Sequence, residues 1–278
     1  MMSVPMMKRP WLNFAISLPV AVGLLLPASV SQAQDNPPKK IDVSHFTKNE
    51  QDVVIPVPSE VFKALDNLGS NPNWNSVLPP ASKAHPVVPS EIALLLGDVI
   101  ANGFIAVEAK EKNKVDEIGK KVIQLADALG VGQSVKSHCN AIIEAAKDDK
   151  WDKVREELDK AQNSVRDAMN RLHSQDNSEL VSIAGWLRGT DALTYLIKKD
   201  YKPDSADLLH QPDMLNTFES QFDHMDAKTK ANPVVSQLRA GLKKIKPMLE
   251  THGADTISQK TVTEINDTTV ALVKSIAP

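Results

Sequence analysis

The sequence predicts an all-α protein, a helical bundle of about seven to nine helices with a proline-rich N-terminal arm. Three observations support this fold class. Proline, which breaks helix interiors, is absent from residues 91 to 202. Apolar side chains in the second half of the chain recur at alternating steps of three and four, which is the spacing of helices packed in bundles. Segments with the alternating pattern of β-strands are almost absent.

The first 33 residues have the layout of a secretory signal peptide. Lys8 and Arg9 form a positive start before a long apolar run. Residues 31–33, Ser-Gln-Ala, match a small-x-small cleavage site, and the absence of a nearby cysteine excludes a bacterial lipoprotein. We therefore expect cleavage after Ala33 and export of the mature chain to the periplasm or the exterior of a bacterial cell.

Composition divides the rest of the chain into three parts. Residues 34–57 are polar and then extended, which predicts a flexible N-terminal segment. Residues 58–90 contain a short predicted helix followed by the proline-rich arm, which Trp74 is expected to pin to the body. Residues 91–278 are predicted to form the helical bundle as one domain.

Within the bundle, turn residues mark where helices begin and end. LGVG at 129–132 and KDDK at 147–150 each predict a tight turn between two helices, and HGAD at 252–255 is expected to open the last helix. Further helix starts are predicted at three prolines, Pro203, Pro212 and Pro233. The apolar seam of the last helix consists of Val262, Ile265, Thr269, Leu272 and Ile276.

Two helices differ from the others because they are apolar on nearly all sides, residues 91–109 and 178–198. This pattern is typical of central helices in a bundle. Gly185 and Gly189, one turn apart, predict a flat strip against which another helix can pack, and Gly97 offers the same on the first helix. We expect the two central helices to pack together.

Polar residues inside these two helices are the strongest site candidates. On the first helix, Glu91, Asp98 and Asn102 share one stripe. On the second, Arg188 and Asp191 are three residues apart and can touch. A buried arginine needs a partner because its charge is costly to remove from water. Asp191 is the expected local partner, and Asp98 the expected partner across the bundle.

Three interpretations of these residues stay open. In the first, they form a polar clasp that fixes the register of the two helices. In the second, Arg188, Asp191, Asp98 and Asn102 line a ligand cleft, in which the planar guanidinium holds a carboxylate or phosphate. In the third, they are exposed at the surface.

Other chemical motifs are weak or missing. His138 and Cys139 are helix neighbours that point about 100° apart, so they cannot pair as base and nucleophile, and the lone cysteine is expected in the core. FDHMD at 222–226 offers Asp223, His224 and Asp226 to a metal, but a solvated helix end is the preferred interpretation. The motifs of zinc proteases, di-iron bundles, covalent haem, nucleotide loops and nucleophile elbows are absent from the sequence. We predict no catalytic residue, metal site or cofactor.

Charge and hydropathy limit the partners. A net charge of −3 without a long basic run argues against nucleic acid. Asp98 and Asn102 argue against a transmembrane segment after the signal peptide. We expect an exported, non-enzymatic binding or scaffold protein whose partner is another protein or a small anionic ligand. The alternative is a carrier that holds a small anionic ligand in the bundle core around Arg188, Asp191 and Asp98, and the third candidate is an enzyme with an unfamiliar site.

Overall fold

The computed structural model describes residues 72–80, 82–250 and 256–278. Within these ranges the chain is helical and contains no β-strand, which confirms the predicted fold class. The predicted signal peptide, the segment 34–57 and the short helix predicted before residue 70 lie outside the described residues.

Ten α-helices follow one another in the described ranges, and eight of them are at least 13 residues long. Two short 3-10 turns, Trp74–Val77 in the arm and Asp207–Leu209 after α6, complete the regular structure of the described chain. The helices are α1 (Pro89–Glu108), α2 (Lys112–Ala128), α3 (Gly132–Lys147), α4 (Trp151–Arg171), α5 (Gln175–Lys199), α6 (Pro203–Ala206), α7 (Pro212–His224), α8 (Ala227–Ala231), α9 (Pro233–Leu249) and α10 (Gln259–Ile276).

Helices begin where the prolines and turn residues of the sequence predict, with one exception. The three predicted proline starts are confirmed, because α6, α7 and α9 begin at Pro203, Pro212 and Pro233. The predicted turns at 129–132 and 147–150 are confirmed as well. The last helix, however, begins only at Gln259, where the hydroxyl of Ser258 accepts a bond from a first-turn N–H group and so caps the helix.

Four turns of the same design join α1 to α5. In each turn one residue has a positive φ, namely Lys110 (55°), Gly130 (79°), Asp149 (59°) and His173 (52°). In the first turn, Lys110 N donates to the Val107 carbonyl at 3.0 Å and Glu111 N to the Ala106 carbonyl at 2.9 Å. The same two bonds recur in the other three turns and form a Schellman ending. Successive helices therefore reverse direction, which makes α1 and α5 parallel.

The two central helices pack together as predicted, and α1 with α5 is the most extensive pair of described helices. Gly97 faces Val181, and a Cβ at Gly97 would overlap the Val181 carbonyl, so this glycine permits the close approach. The prediction that Gly185 and Gly189 form a flat packing strip on α5 is confirmed for Gly185 only. Gly185 lies beside Gly97, whereas Gly189 is exposed, and a Cβ added there would meet no described atom within 4 Å.

The apolar surface of α1 is explained by its central place. Among the described helices, α1 alone is long and apolar enough to cross a membrane by length and composition. However, 78% of its apolar window is buried inside the protein, and a core helix meets the same criterion. Its leucines, Leu94, Leu95 and Leu96, lie in the main hydrophobic core.

The C-terminal helices cover other sides of α5. α10 runs antiparallel to α5, since Thr269 contacts Asp191 and the earlier Asn266 contacts the later Thr194. α9 packs on α10 and α7. On a further side of α5, Trp186 packs edge-on against Phe218 of α7, with ring centroids 5.5 Å apart. Helix α5 is therefore enclosed by α1, α7 and α10.

Candidate functional site

The four site residues predicted from the sequence meet in one buried group, the Arg188 cluster, formed by Arg188, Asp191, Asp98 and Asn102. Arg188 is 4% exposed, Asp98 3% and Asn102 6%. The cluster lies between the parallel helices α1 and α5, so the interpretation that places these residues at the surface is wrong. Arg188 and Asp98 are buried and Asp191 is half-buried, so hydrogen bonds must compensate for the water that these charged groups lose.

Each guanidinium nitrogen of Arg188 donates to a different part of the protein. Nε donates to Asn102 Oδ1 at 2.8 Å, and Nη1 donates to Asp191 Oδ2 at 3.0 Å. Nη2 donates to the backbone carbonyl of Val77 in the arm. The one side chain thus joins α1, its own helix α5 and the arm that precedes α1.

The expected direct pairing of Arg188 with Asp98 is wrong. Asn102 lies one turn beyond Asp98 on α1, level with Arg188 in the parallel pair, and therefore takes the place of the carboxylate. Asn102 Nδ2 donates to Asp98 Oδ2 at 3.1 Å, so Asp98 is connected to the arginine through the amide. The other oxygen, Asp98 Oδ1, is buried without a hydrogen-bond partner in the described chain.

Burial dominates the electrostatics of the cluster. It raises the pKa of Asp98 from its ordinary value of 3.8 to about 6, with the Arg188 charge opposing the shift and the Asp191 charge adding to it. Burial also raises the pKa of Asp191, against the Arg188 charge and the hydrogen bond from Thr269. Of the two carboxylates, only Asp191 bonds directly to the guanidinium, and desolvation destabilises the charged form of both.

The partners of the cluster on α10 and in the arm were not predicted from the sequence. Thr269 Oγ1 donates to Asp191 Oδ1 at 3.2 Å, and Asn266 Nδ2 lies 3.3 Å from the Asp191 carbonyl. A signal for Thr269 existed, because it is the polar member of the apolar seam of the last helix. The Val77 carbonyl is a backbone group, and no side-chain pattern could have indicated it.

The arm closes the cluster from outside. Trp74 is buried in a small apolar group with Ile105 of α1 and Ala192 of α5, which confirms that this tryptophan pins the arm to the body. Because the arm also accepts the Nη2 bond of Arg188, an external anion could reach the guanidinium only after the arm had moved. This geometry favours the clasp interpretation over the ligand cleft.

Glu91 is separated from the cluster, although it shares the α1 stripe. Its Oε1 accepts a bond from Asn232 Nδ2 at 2.9 Å, near the start of the helix and two turns before Asp98. Asn232 also caps α9 through its Oδ1, which accepts from Val234 N at 2.9 Å. Glu91 therefore ties α1 to the start of α9.

His138 takes part in a polar relay that the sequence did not predict. Its Nδ1 lies 3.0 Å from Glu157 Oε2 and its Nε2 lies 3.1 Å from Ser164 Oγ. Ser164 lies in the middle of α4, where backbone N–H groups bond within the helix and cannot stabilise an oxyanion. Cys139, beside His138, is buried as expected, and burial raises its thiol pKa to about 11. We interpret the relay as a contact between α3 and α4.

The FDHMD residues do not converge on one point. Asp223 pairs with Arg239, and His224 Nδ1 lies 2.7 Å from the Ser220 carbonyl. Asp226 caps α8 by accepting from Thr229 N at 2.7 Å. In the described part of the chain, no group of three or more histidine, cysteine or acidic side chains is placed to hold a metal ion.

An open cleft of about 620 Å³ lies at the end of the bundle where α1 and α5 begin. We call it the end cleft. The sequence did not indicate it because its wall combines ordinary polar residues from elements far apart in the chain. The wall includes Ser90 of α1, Asp176 and Asn177 of α5, His224, Asp226 and Lys228.

Comparisons with known proteins supply no relative from which a function can be transferred. No protein-family model, no curated protein and no solved structure matches the chain. The Arg188 cluster and the end cleft are therefore the two features of the described chain from which a function can be inferred.

Proposed function

We propose that the chain is an exported bacterial protein that, after loss of residues 1–33, acts as a non-enzymatic binding or scaffold protein. One observation carries the proposal: all three guanidinium nitrogens of the buried Arg188 donate to protein groups. The residues that most resemble a site thus hold α1, α5 and the arm together, and Asp191 adds a contact with Thr269 of α10. A binding partner would therefore contact the outer surface of the bundle, whose helices the cluster holds in a fixed arrangement.

The core-carrier alternative has less support. A ligand at Arg188, Asp191 and Asp98 would have to displace the Val77 carbonyl and leave it unpaired, at a cost of about 1–3 kcal/mol. The arm would also have to lift Trp74 out of its apolar contacts with Ile105.

The enzyme alternative has less support as well. The relay of His138, Glu157 and Ser164 orients a base toward a hydroxyl, but the helical setting of Ser164 supplies no oxyanion donors. A serine-directed fluorophosphonate probe gives a direct test, and we expect it to leave Ser164 unlabelled.

The stability of Arg188→Met tests the structural role of the cluster. Removal of the arginine strands Asp191 and the Val77 carbonyl, so we expect the unfolding free energy in denaturant to fall by about 3–5 kcal/mol. Arg239→Met is the matched control, because it removes an exposed arginine paired with Asp223 and should cost about 1 kcal/mol or less. Unchanged stability of Arg188→Met would favour the carrier alternative instead.

Export is tested by expressing the full chain in a Gram-negative host. We expect the protein in the fraction released by osmotic shock, with a mature amino terminus at Gln34. Ala33→Asp should block processing, because the cleavage site needs a small residue at that position. Retention of unprocessed wild-type protein in the cytoplasm would contradict the proposed export.

A further inference from the structure

Free backbone N–H groups from the starts of two helices lie at the end cleft. α1 and α5 are parallel, so their first turns lie side by side at this end. The first bonds donated back along them are from Ile92 to Val88 and from Ser178 to Ser174. The N–H groups before these bonds have no helical acceptor, and neither helix start has a side-chain cap. Two partial positive charges therefore face the same space.

The other helix starts at the rim are different. α8 is capped by Asp226, and α9 is capped by Asn232, whose Oδ1 accepts from Val234 N at 2.9 Å. The side chains of these two helices satisfy their own first-turn donors. The unsatisfied donors of the end cleft thus come from α1 and α5.

A second, independent observation points to a ligand at this place. Ser90 lines the end cleft and is only 6% exposed, and its hydroxyl has no hydrogen bond to any part of the chain that the structure describes. The Ser90 hydroxyl is therefore free to bond to a ligand oxygen in the cleft.

The two carboxylates of the end cleft accept hydrogen bonds within the protein, whereas its lysine has no ion-pair partner in the described ranges. Asp226 uses its carboxylate for the cap of α8, and Asp176 Oδ2 accepts a bond from the backbone N–H of Asp226 at 2.9 Å. Lys228 has no ion-pair partner among the described residues, and it lines the cleft together with His224. The donors available to a ligand are thus backbone N–H groups, the Ser90 hydroxyl and the Lys228 ammonium.

We infer that the end cleft binds a small ligand through a carboxylate or phosphate group, held at the paired starts of α1 and α5. The inference rests on the proposed binding function and names the class of ligand. The volume of about 620 Å³ lies in the range of small-molecule sites. Ser90 and the uncapped N–H groups hold the anionic oxygens, and Lys228 supplies the counter-charge.

Titration calorimetry on the purified, processed protein tests the inference with three probes: succinate, inorganic phosphate and the neutral succinamide. We expect succinate, phosphate or both to bind at millimolar concentration and succinamide not to bind. Binding of succinate alone identifies a carboxylate site, and binding of phosphate alone identifies a phosphate site. Equal binding of succinate and succinamide would overturn the inference.

Asn177→Asp separates binding from folding. It adds a negative charge to the first turn of α5, where the helix start favours that charge, so thermal stability should be unchanged or raised. The same charge repels an anionic probe, and we expect about tenfold weaker binding. Gln259→Asp is the matched control, since it adds the same charge to the first turn of α10 at the opposite end of α5, and it should leave affinity unchanged.

Two further results complete the test. Ser90→Ala should weaken binding about threefold to tenfold, because a buried hydrogen bond to the anion is lost. If Asn177→Asp bound the probes as wild type does, or if no anion bound the wild-type protein, the inference would be overturned. The proposed binding or scaffold function would survive the second result, because export and the Arg188→Met stability test it separately.

Discussion

Asn102 of α1 accepts a 2.8 Å hydrogen bond from Nε of Arg188 on α5, and the same amide donates to Asp98 at 3.1 Å. The asparagine thus stands between a guanidinium and a carboxylate, accepting a hydrogen bond from the first and donating one to the second. Because α1 and α5 are parallel, this bridge fixes how far one helix is displaced along the other. The polar bridge and the Gly97 contact lie on the same interface and set its register together.

The bridge should show up as energetic coupling. In a double-mutant cycle, Asn102→Leu and Arg188→Met should each destabilise the protein, and their effects should fall short of additivity by about 1–3 kcal/mol because the two residues share one network. Unfolding in denaturant gives the four free energies. Pairing Arg188→Met with Arg239→Met, at an exposed position of another helix, serves as the control, and additive costs for Asn102 and Arg188 would rule out the bridge.

Asp98 should make stability depend on pH in the acid range. Burial raises its pKa to about 6, so between about pH 4 and pH 6 the folded protein holds a proton that the unfolded chain releases. The unfolding free energy should therefore fall by about 3 kcal/mol as pH rises through this window, and stay level above it as far as Asp98 is concerned.

Asp98→Asn removes this titration and isolates it from other groups. The variant should be more stable than wild type at pH 7 by about 1–3 kcal/mol, since a neutral amide is less costly to bury. The difference between the two proteins should vanish near pH 4. Asp167→Asn, at an exposed position of α4, is the control, and a constant difference across pH would refute the burial argument.

The contact between α1 and α5 predicts opposite effects of alanine at two glycines. Gly97→Ala should destabilise the protein by about 2–4 kcal/mol, because the new methyl group overlaps the Val181 carbonyl and the helices must separate. Gly189→Ala should raise stability by about 0.5–1 kcal/mol, because the exposed methyl meets nothing and alanine favours the helix. Thermal unfolding of both variants checks the prediction, and equal effects would disprove it.

The positive φ that recurs in the four turns predicts that glycine is preferred over lysine at position 110. Lys110 is exposed and holds a φ of 55°, a conformation that costs a non-glycine residue about 1 kcal/mol. Lys110→Gly should therefore stabilise the protein by about 0.5–1 kcal/mol in denaturant unfolding, while Lys110→Ala, which keeps the Cβ, should not. Conversely, Gly130→Ala should cost about 1 kcal/mol at its φ of 79°.

Local sequence patterns were sufficient to predict much of the fold. The proline starts, the glycine and lysine-aspartate turns and the two central helices follow from periodicity and backbone chemistry, which act between residues close in sequence. The same logic placed Arg188, Asp98, Asn102 and Asp191 in a common interior, because polar residues on wholly apolar helices have no other place to find partners.

Tertiary structure decided which of these groups meet. The pairing of Arg188 with Asn102 instead of Asp98 depends on the direction and register of α1 against α5, and those follow from three intervening helices and the fit at Gly97. The Val77 carbonyl, Thr269 of α10 and the end cleft come from segments far apart in the chain. Helical periodicity says which face is buried, whereas the neighbour on that face is selected by packing of the whole bundle.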